Sequence, residues 1–180
     1  LAPKTSAQQR GLLYEAHDYT LLSKAANAVF LMTYEWGYVY GEPQAIAPLP
    51  QVRAVLDYAL SVTAGENIFL GAPLYAYDWP LPYEKGRTRA ETFSSQAAVA
   101  RARLVGAEIE FDETARSPCY HYFDKMRREH VVWFEDARSL RAKIALAAEK
   151  GLQGIGFWQA GQELAQAWPL LDALVTLETL

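Results

Sequence analysis

An α/β fold of parallel βαβ units, interrupted by a small α+β insert, is what this 180-residue sequence predicts. Three observations lead there. Apolar, β-prone runs are each followed by a helical pattern, so strand and helix alternate strictly. The clearest of those runs is continuously apolar rather than alternating, as in a strand buried on both faces. About sixty residues then separate the third run from its helix, where βα connections typically take about 2–6, so that stretch forms a subdomain and not a loop.

The first run is a stub, Leu1 to Pro3, followed by a loop from Lys4 to His17. A helix opens at the N-cap Asp18 and passes through Leu21, Leu22 and Ala25. The second run, Ala28 to Tyr34, ends in a polar-aromatic loop. After Pro48 and Pro50 the residues Val52, Val55, Leu56, Ala59 and Leu60 share one helical face, and Gly65 marks the stop. The third strand is Asn67 to Pro73. Its helix, delayed to about Asp136–Lys150, takes Asp136 or Ser139 as cap, buries Leu140, Ile144, Ala147 and Ala148, and stops at Gly151. A fourth strand, Gly154 to Trp158, precedes a helix around Leu164 to Leu177. Within the insert, Ser94 or Ser95 caps a helix through Ala97, Val99 and Leu104 to Gly106, and three strand-like runs follow at 107–112, 119–123 and 130–134. The bounds are thus 1–77 for the first strands and helices, 78–132 for the insert, and 133–180 for the last helices and strand.

Composition narrows the function classes. Half of the residues are hydrophobic (51%) and 21% charged, as in an ordinary globular protein. A net charge of -4 with interleaved signs argues against a nucleic-acid surface. Cys119 is alone, and His17, His121 and His130 lie apart, so neither a disulfide framework nor a metal site is expected. There is no membrane-length apolar run. No phosphate loop, Gly-x-Ser-x-Gly elbow or His-Glu-x-x-His motif calls for a cofactor or another hydrolase chemistry. A start at Leu-Ala-Pro-Lys without initiator Met reads as a piece of a longer protein. Aromatic residues are abundant, with five Trp and eleven Tyr, which suits either a large core or a groove that stacks sugars.

In parallel α/β folds the ligand site lies beyond the carboxyl ends of the strands. Those ends deliver Lys4 from the first strand, Tyr34, Glu35 and Trp36 from the second, Tyr75, Tyr77, Asp78 and Trp79 from the third, and Trp158 and Gln159 from the fourth. Aromatic rings beside hydrogen-bonding groups match the apolar faces and hydroxyl edges of pyranoses. Each residue has a plainer reading too: Trp158 as a plug that finishes the core, Tyr34 as a buried tyrosine, Lys4 and Glu35 as an ion pair. The acidic stretch Glu108-Ile-Glu110-Phe-Asp112-Glu113 alternates as an exposed strand does.

Met32-Thr33-Tyr34-Glu35 resembles the Met-Thr-Tyr-Asp motif that ends the sixth barrel strand of family 18 glycoside hydrolases, the chitinase family. Gly71-Ala72-Pro73-Leu74-Tyr75 is similar to that family's seventh-strand motif, and Gly154-Ile155-Gly156-Phe157-Trp158 to its eighth. Gly11-Leu-Leu-Tyr-Glu15, Tyr34-Glu-Trp-Gly37 and Trp133-Phe-Glu-Asp136 look most like the branch of spore-cortex-lytic N-acetylglucosaminidases and spore germination proteins. The resemblance implies the C-terminal half, strands 5–8, of a (β/α)8 TIM barrel with an α+β insertion after the seventh strand. It implies a retaining hydrolase of β-1,4-linked N-acetylglucosamine polymers, in which the substrate's own acetamide is the nucleophile. Tyr34 would donate to the acetamide and Glu35 would serve the leaving-group side. Trp158 would floor the sugar, with Trp36, Tyr75, Tyr77, Trp79 and Lys4 also binding substrate. Glu35 replaces the more usual Asp. The Asp-x-x-Asp-x-Asp-x-Glu run that supplies the family's general acid does not occur in the chain, which alone would be inactive. The expected partners are an N-acetylated glycan and either the missing half-barrel or a second copy, at a cell-envelope, spore or extracellular site. A non-catalytic, lectin-like member of the same fold is the alternative.

Overall fold

The computed structural model describes residues 1–162 and 164–174. A parallel three-stranded sheet forms from β1 (Val29–Leu31), β2 (Ile68–Pro73) and β8 (Gly154–Trp158), in the order β1-β2-β8. Register is continuous across it, Leu31 facing Leu70 and Leu70 facing Ile155. Leu1 extends the sheet beyond β1. Its carbonyl accepts from Met32 N at 2.9 Å and its amino group donates to the Phe30 carbonyl, the bonding pattern of a parallel neighbour.

The second apolar run is shorter as a strand than its composition suggests. After Leu31 the chain coils, with Thr33 N bonded to Leu31 O and Tyr34 N to Met32 O, both at 2.9 Å. These one-residue turns replace ladder bonds. The Thr33 hydroxyl ties the coiled end to Gly71 O at 2.7 Å.

Helices cover one face of this sheet. In α1 (Tyr19–Ala25) the Asp18 side chain caps Leu21 N at 3.0 Å. Helix α2 (Leu49–Leu60) starts after Pro48, buries Val52, Val55, Leu56 and Ala59, and ends at Ser61, earlier than Gly65, which instead opens a single 3-10 turn. Helix α4 (Ala137–Glu149) has the capping box formed by Asp136 and Ser139. Helix α5 spans Ala167–Leu174, so residues 175–177 of the expected last helix lie outside the described residues. Val29, Leu31, Ile68, Leu70 and Ala72 are buried on the helix-covered side.

On the opposite side Phe30 and Phe69 are only half-buried. A Cβ on Gly71 or Gly156, Cα partners across β2 and β8, would come within 2.7 and 2.5 Å of the Phe30 ring. One ring from β1 therefore lies over two neighbouring strands.

The insert is an antiparallel sheet of five strands, in the order β4-β3-β7-β6-β5. Of these, β5 (Glu110–Asp112), β6 (Ser117–Phe123) and β7 (Glu129–Trp133) occupy the three expected runs. Two strands were not anticipated: β3 (Tyr75–Pro80) and β4 (Glu91–Ser94). Tyr75, Tyr77, Asp78 and Trp79 thus belong to a strand of the second sheet and not to the end of β2. Their sequence, Tyr-Ala-Tyr-Asp-Trp, alternates with period two, so β3 presents two different faces. Tyr75, Tyr77 and Trp79 join the main core, whereas Ala76 joins a second core with Ala98, Ala102, Tyr120, Val132 and Phe134 under α3 (Ser95–Val105). Asp78 shares that second face, where it bonds Arg101, Tyr122 and His130, each at 2.6 Å. Helix α3 is capped by Ser94 and closed by Gly106 in the left-handed region.

A long connection between β1 and α2 leans on this second sheet. Trp79 Nε1 donates to Gly41 O at 2.9 Å, Ala90 N to Val39 O at 2.8 Å, and the Tyr83 hydroxyl to Tyr40 O at 3.0 Å. A fully buried ion pair joins the segment after β7 to helix α4, Lys143 Nζ reaching both Glu135 oxygens at 3.0 and 2.9 Å.

Candidate active site

The ends of β1 and β8 meet strands β3 and β4 around a cavity of about 190 Å³, lined by Tyr34, Glu35, Tyr75, Tyr77, Thr92, Trp158, Gln159 and Gln162. Larger hollows lie elsewhere, one of about 510 Å³ beside Pro48 and Trp133 and one of about 490 Å³ beside Pro80 and Arg128, but neither gathers this chemistry.

Rings build one wall. Tyr34 meets Tyr75 edge-on with centroids 6.4 Å apart, Tyr75 meets Tyr77 at 5.4 Å, and Tyr77 meets Trp79 at 5.4 Å. Edge-to-face contacts of this kind fix ring orientation beyond what area burial does. Glu35 stands in front of that wall. Its backbone lies in the left-handed region (φ 72), a conformation that costs a non-glycine residue roughly 1–3 kcal/mol and that gathers at functional sites. The turn it makes brings Glu35 Oε1 to the hydroxyls of Tyr75 and Tyr77, both of which donate to it, the latter at 2.8 Å. Glu35 Oε2 accepts no hydrogen bond among the described residues, and the side chain is exposed toward the cavity mouth.

Burial, and next the nearby Glu35 charge, raise the Tyr34 hydroxyl to about 12. The same two causes push Tyr75 and Tyr77 well above the ordinary tyrosine range, with hydrogen bonding to Glu35 adding to both. All three phenols are therefore donors at neutral pH. Tyr75 and Tyr77 spend their protons on Glu35, while the Tyr34 hydroxyl makes no protein hydrogen bond among the described residues and is free to donate to a ligand. Trp158 closes the opposite side with 53% of its surface exposed, which places its ring at the opening and not in a sealed core.

The remaining sequence-predicted residues stand apart. Trp79 is fully buried as the last ring of the ladder. Trp36 is half-buried against the main core, its backbone held by Ile46 O and by the Gln44 amide. Lys4 is 4% exposed and borders a different hollow with Gln8, Arg10 and Glu15. No ion pair joins Lys4 to Glu35 among the described residues; the two tyrosine hydroxyls fill that role. Thr92 and Gln162 escaped sequence reasoning, the first because β4 was not foreseen, the second because it sits in an aperiodic turn after β8. No group of three or more metal-ligating side chains occurs among the described residues, and no helix there is long and apolar enough to cross a membrane.

The sequence profile of glycosyl hydrolases family 18 matches residues 2–163. The chain belongs to glycosyl hydrolase family 18. Among curated relatives of this family, the cortical fragment-lytic enzyme of Bacillus subtilis (strain 168) is 48% identical over 172 residues, covering 96% of this chain and 40% of that protein. The crystal structure of the Bacillus cereus spore cortex-lytic enzyme SleL superposes with a TM-score of 0.94 at 44% identity, covering 98% of this chain and 41% of that one. A putative sporulation-specific glycosylase, YdhD of Bacillus subtilis, follows with a TM-score of 0.84 at 34% identity, over 88% of this chain and 52% of that one. The chain thus has the mixed α/β fold of family 18 chitinase-like domains and spans about 40% of the length of its first curated relatives.

Proposed function

We propose that this chain is the C-terminal half, strands 5–8, of a (β/α)8 barrel, and that the completed enzyme hydrolyses β-1,4 linkages beside N-acetylglucosamine in peptidoglycan of the spore cortex or a chitin-like polymer. The observation that carries this reading is the cavity in which a protonated, unpartnered Tyr34 hydroxyl, a braced Glu35 and an open Trp158 ring converge. The half-exposed face of Phe30 and Phe69, and the free edge of β8, support completion by an N-terminal half-barrel.

The proposed reaction is substrate-assisted and retaining. A sugar stacks on Trp158, and a general acid from the N-terminal half protonates the glycosidic oxygen. The acetamide carbonyl oxygen then attacks the anomeric carbon as the leaving-group bond breaks, giving a cyclic oxazolinium that water opens. Tyr34 donates to that acetamide oxygen and holds it in line. It can do so because its high pKa keeps the proton in place. Glu35, anchored through Oε1, offers Oε2 to a hydroxyl of the leaving sugar. The expected site of action is accordingly the cell envelope, the spore or the extracellular space.

Tyr34→Phe in the full-length protein tests the assignment. Loss of one positioned donor to a developing charge is expected to lower kcat by roughly 10²–10³. Full turnover would remove Tyr34 from the mechanism.

A further inference from the structure

Gln162 Oε1 is buried and has no hydrogen-bond partner, the one side-chain atom in that condition among the described residues. Among the described residues the other fully buried side-chain polar atoms are paired, as in the Thr33 hydroxyl with Gly71 O, Asp78 with Arg101, Tyr122 and His130, and Glu135 with Lys143. An orphan acceptor is costly where water does not reach it, and a Leu or Met in its place would avoid that cost. The orphan is also not at random. Gln162 lines the same cavity as Tyr34, Glu35 and Trp158, on a turn held by the bond from its own backbone N to Gln159 O at 3.0 Å and followed by the buried Leu164.

We propose that Gln162 is a substrate-binding residue whose carbonyl oxygen accepts a hydrogen bond from a hydroxyl or amide N–H of the sugar seated on Trp158. The inference rests on the glycan reading of this cavity and adds to it a specific polar contact. A neutral acceptor suits this place. Glu35 already brings a carboxylate to this cavity, and a second one at position 162 would repel it. Thr92, exposed at the rim on β4, and Gln159 flank the same position with further hydrogen-bonding capacity. A pyranose ring carries several hydroxyls at its edge, so the ligand offers donors for a convergent set of neutral acceptors.

The test uses Gln162→Met, which keeps length and volume and deletes the acceptor, in the full-length protein with the β-1,4-linked tetramer of N-acetylglucosamine as substrate. KM is expected to rise about tenfold while Tm stays unchanged or increases, since the variant loses a contact made only with ligand. A residue that merely holds the turn would show the reverse, a lowered Tm with KM unchanged, and that result overturns the proposal. Trp158→Ala is measured beside it. If Trp158→Ala raises KM and Gln162→Met does not, the contact is wrong and the glycan reading survives. If neither variant changes KM, or wild type does not process the tetramer, the glycan reading fails and the Gln162 contact with it.

Discussion

Replacing Lys143 by Met strands a carboxylate in the interior. Lys143 and Glu135 are both fully buried, and each Glu135 oxygen accepts from Nζ at about 3 Å. Burying two charges is expensive, and their mutual attraction offsets that expense only while both are present. Removing one partner of such a pair typically costs 3–5 kcal/mol, whereas exchanging both for apolar groups of similar size is often close to neutral. At roughly 2–4 °C per kcal/mol in domains of 150–250 residues, Lys143→Met is expected to lower Tm by about 6–20 °C. The double variant Lys143→Met/Glu135→Leu is expected to recover most of it. A pH signature accompanies the loss. Desolvation raises the Glu135 pKa and the Lys143 charge opposes that rise. A raised carboxylate pKa means the folded state binds more protons than the unfolded one, so stability falls as pH rises through the window between the two values. Without Lys143 the folded value climbs further and the window widens, making the deficit larger at pH 7.5 than at pH 5. Calorimetric scans at both pH values measure this. A single variant within 2 °C of wild type, a deficit independent of pH, or a double variant as weak as the single one would refute the argument.

Three other outcomes are expected. Trp158→Ala should weaken oligosaccharide binding by about 1 kcal/mol or more, roughly fivefold or more in KM, and unchanged KM would return the ring to a packing role. Because Tyr34 ionises only near 12, its donor is present throughout neutral and mildly alkaline conditions and is lost only as pH rises through that value. A spectrophotometric titration that assigned Tyr34 an ordinary value near 10 would contradict the burial argument. Finally, residues 1–180 expressed alone should self-associate or remain expanded, and co-expression with the N-terminal half should yield a monodisperse complex. A stable monomer in sedimentation would show that the half-exposed face needs no cover.

Much of the parallel sheet was legible because its strands are short continuous apolar runs and its helices start at the caps Asp18 and Asp136 or directly after Pro48. What hid β3 was position. Tyr75 to Trp79 follow β2 after a single residue, so a strand that turns directly into a second sheet reads as a strand end. That error propagated to Trp79, whose place at the base of the ring ladder depends on alternation along β3. Tyr34, Glu35, Tyr75, Tyr77 and Trp158, which line one cavity, were singled out because strand ends are where ligands bind in such folds. Lys4 was drawn in by the same rule, yet it borders a different hollow, lined also by Arg10 and Glu15. Gln162 left no trace, since only the absence of a partner in three dimensions marks it.

The ring of Phe30 links three positions that sequence places far apart. A Cβ at 156 would meet the Phe30 ring alone, whereas one at 71 would also strike the Leu31 backbone carbonyl. Bulk at position 30 therefore requires glycine at 156, while 71 must stay glycine whatever stands at 30. Homologues with a smaller residue at 30 should be free to vary at 156 and should keep glycine at 71. A graft that brings β8 from one relative onto β1 of another must match 30 to 156 before any question of catalysis arises.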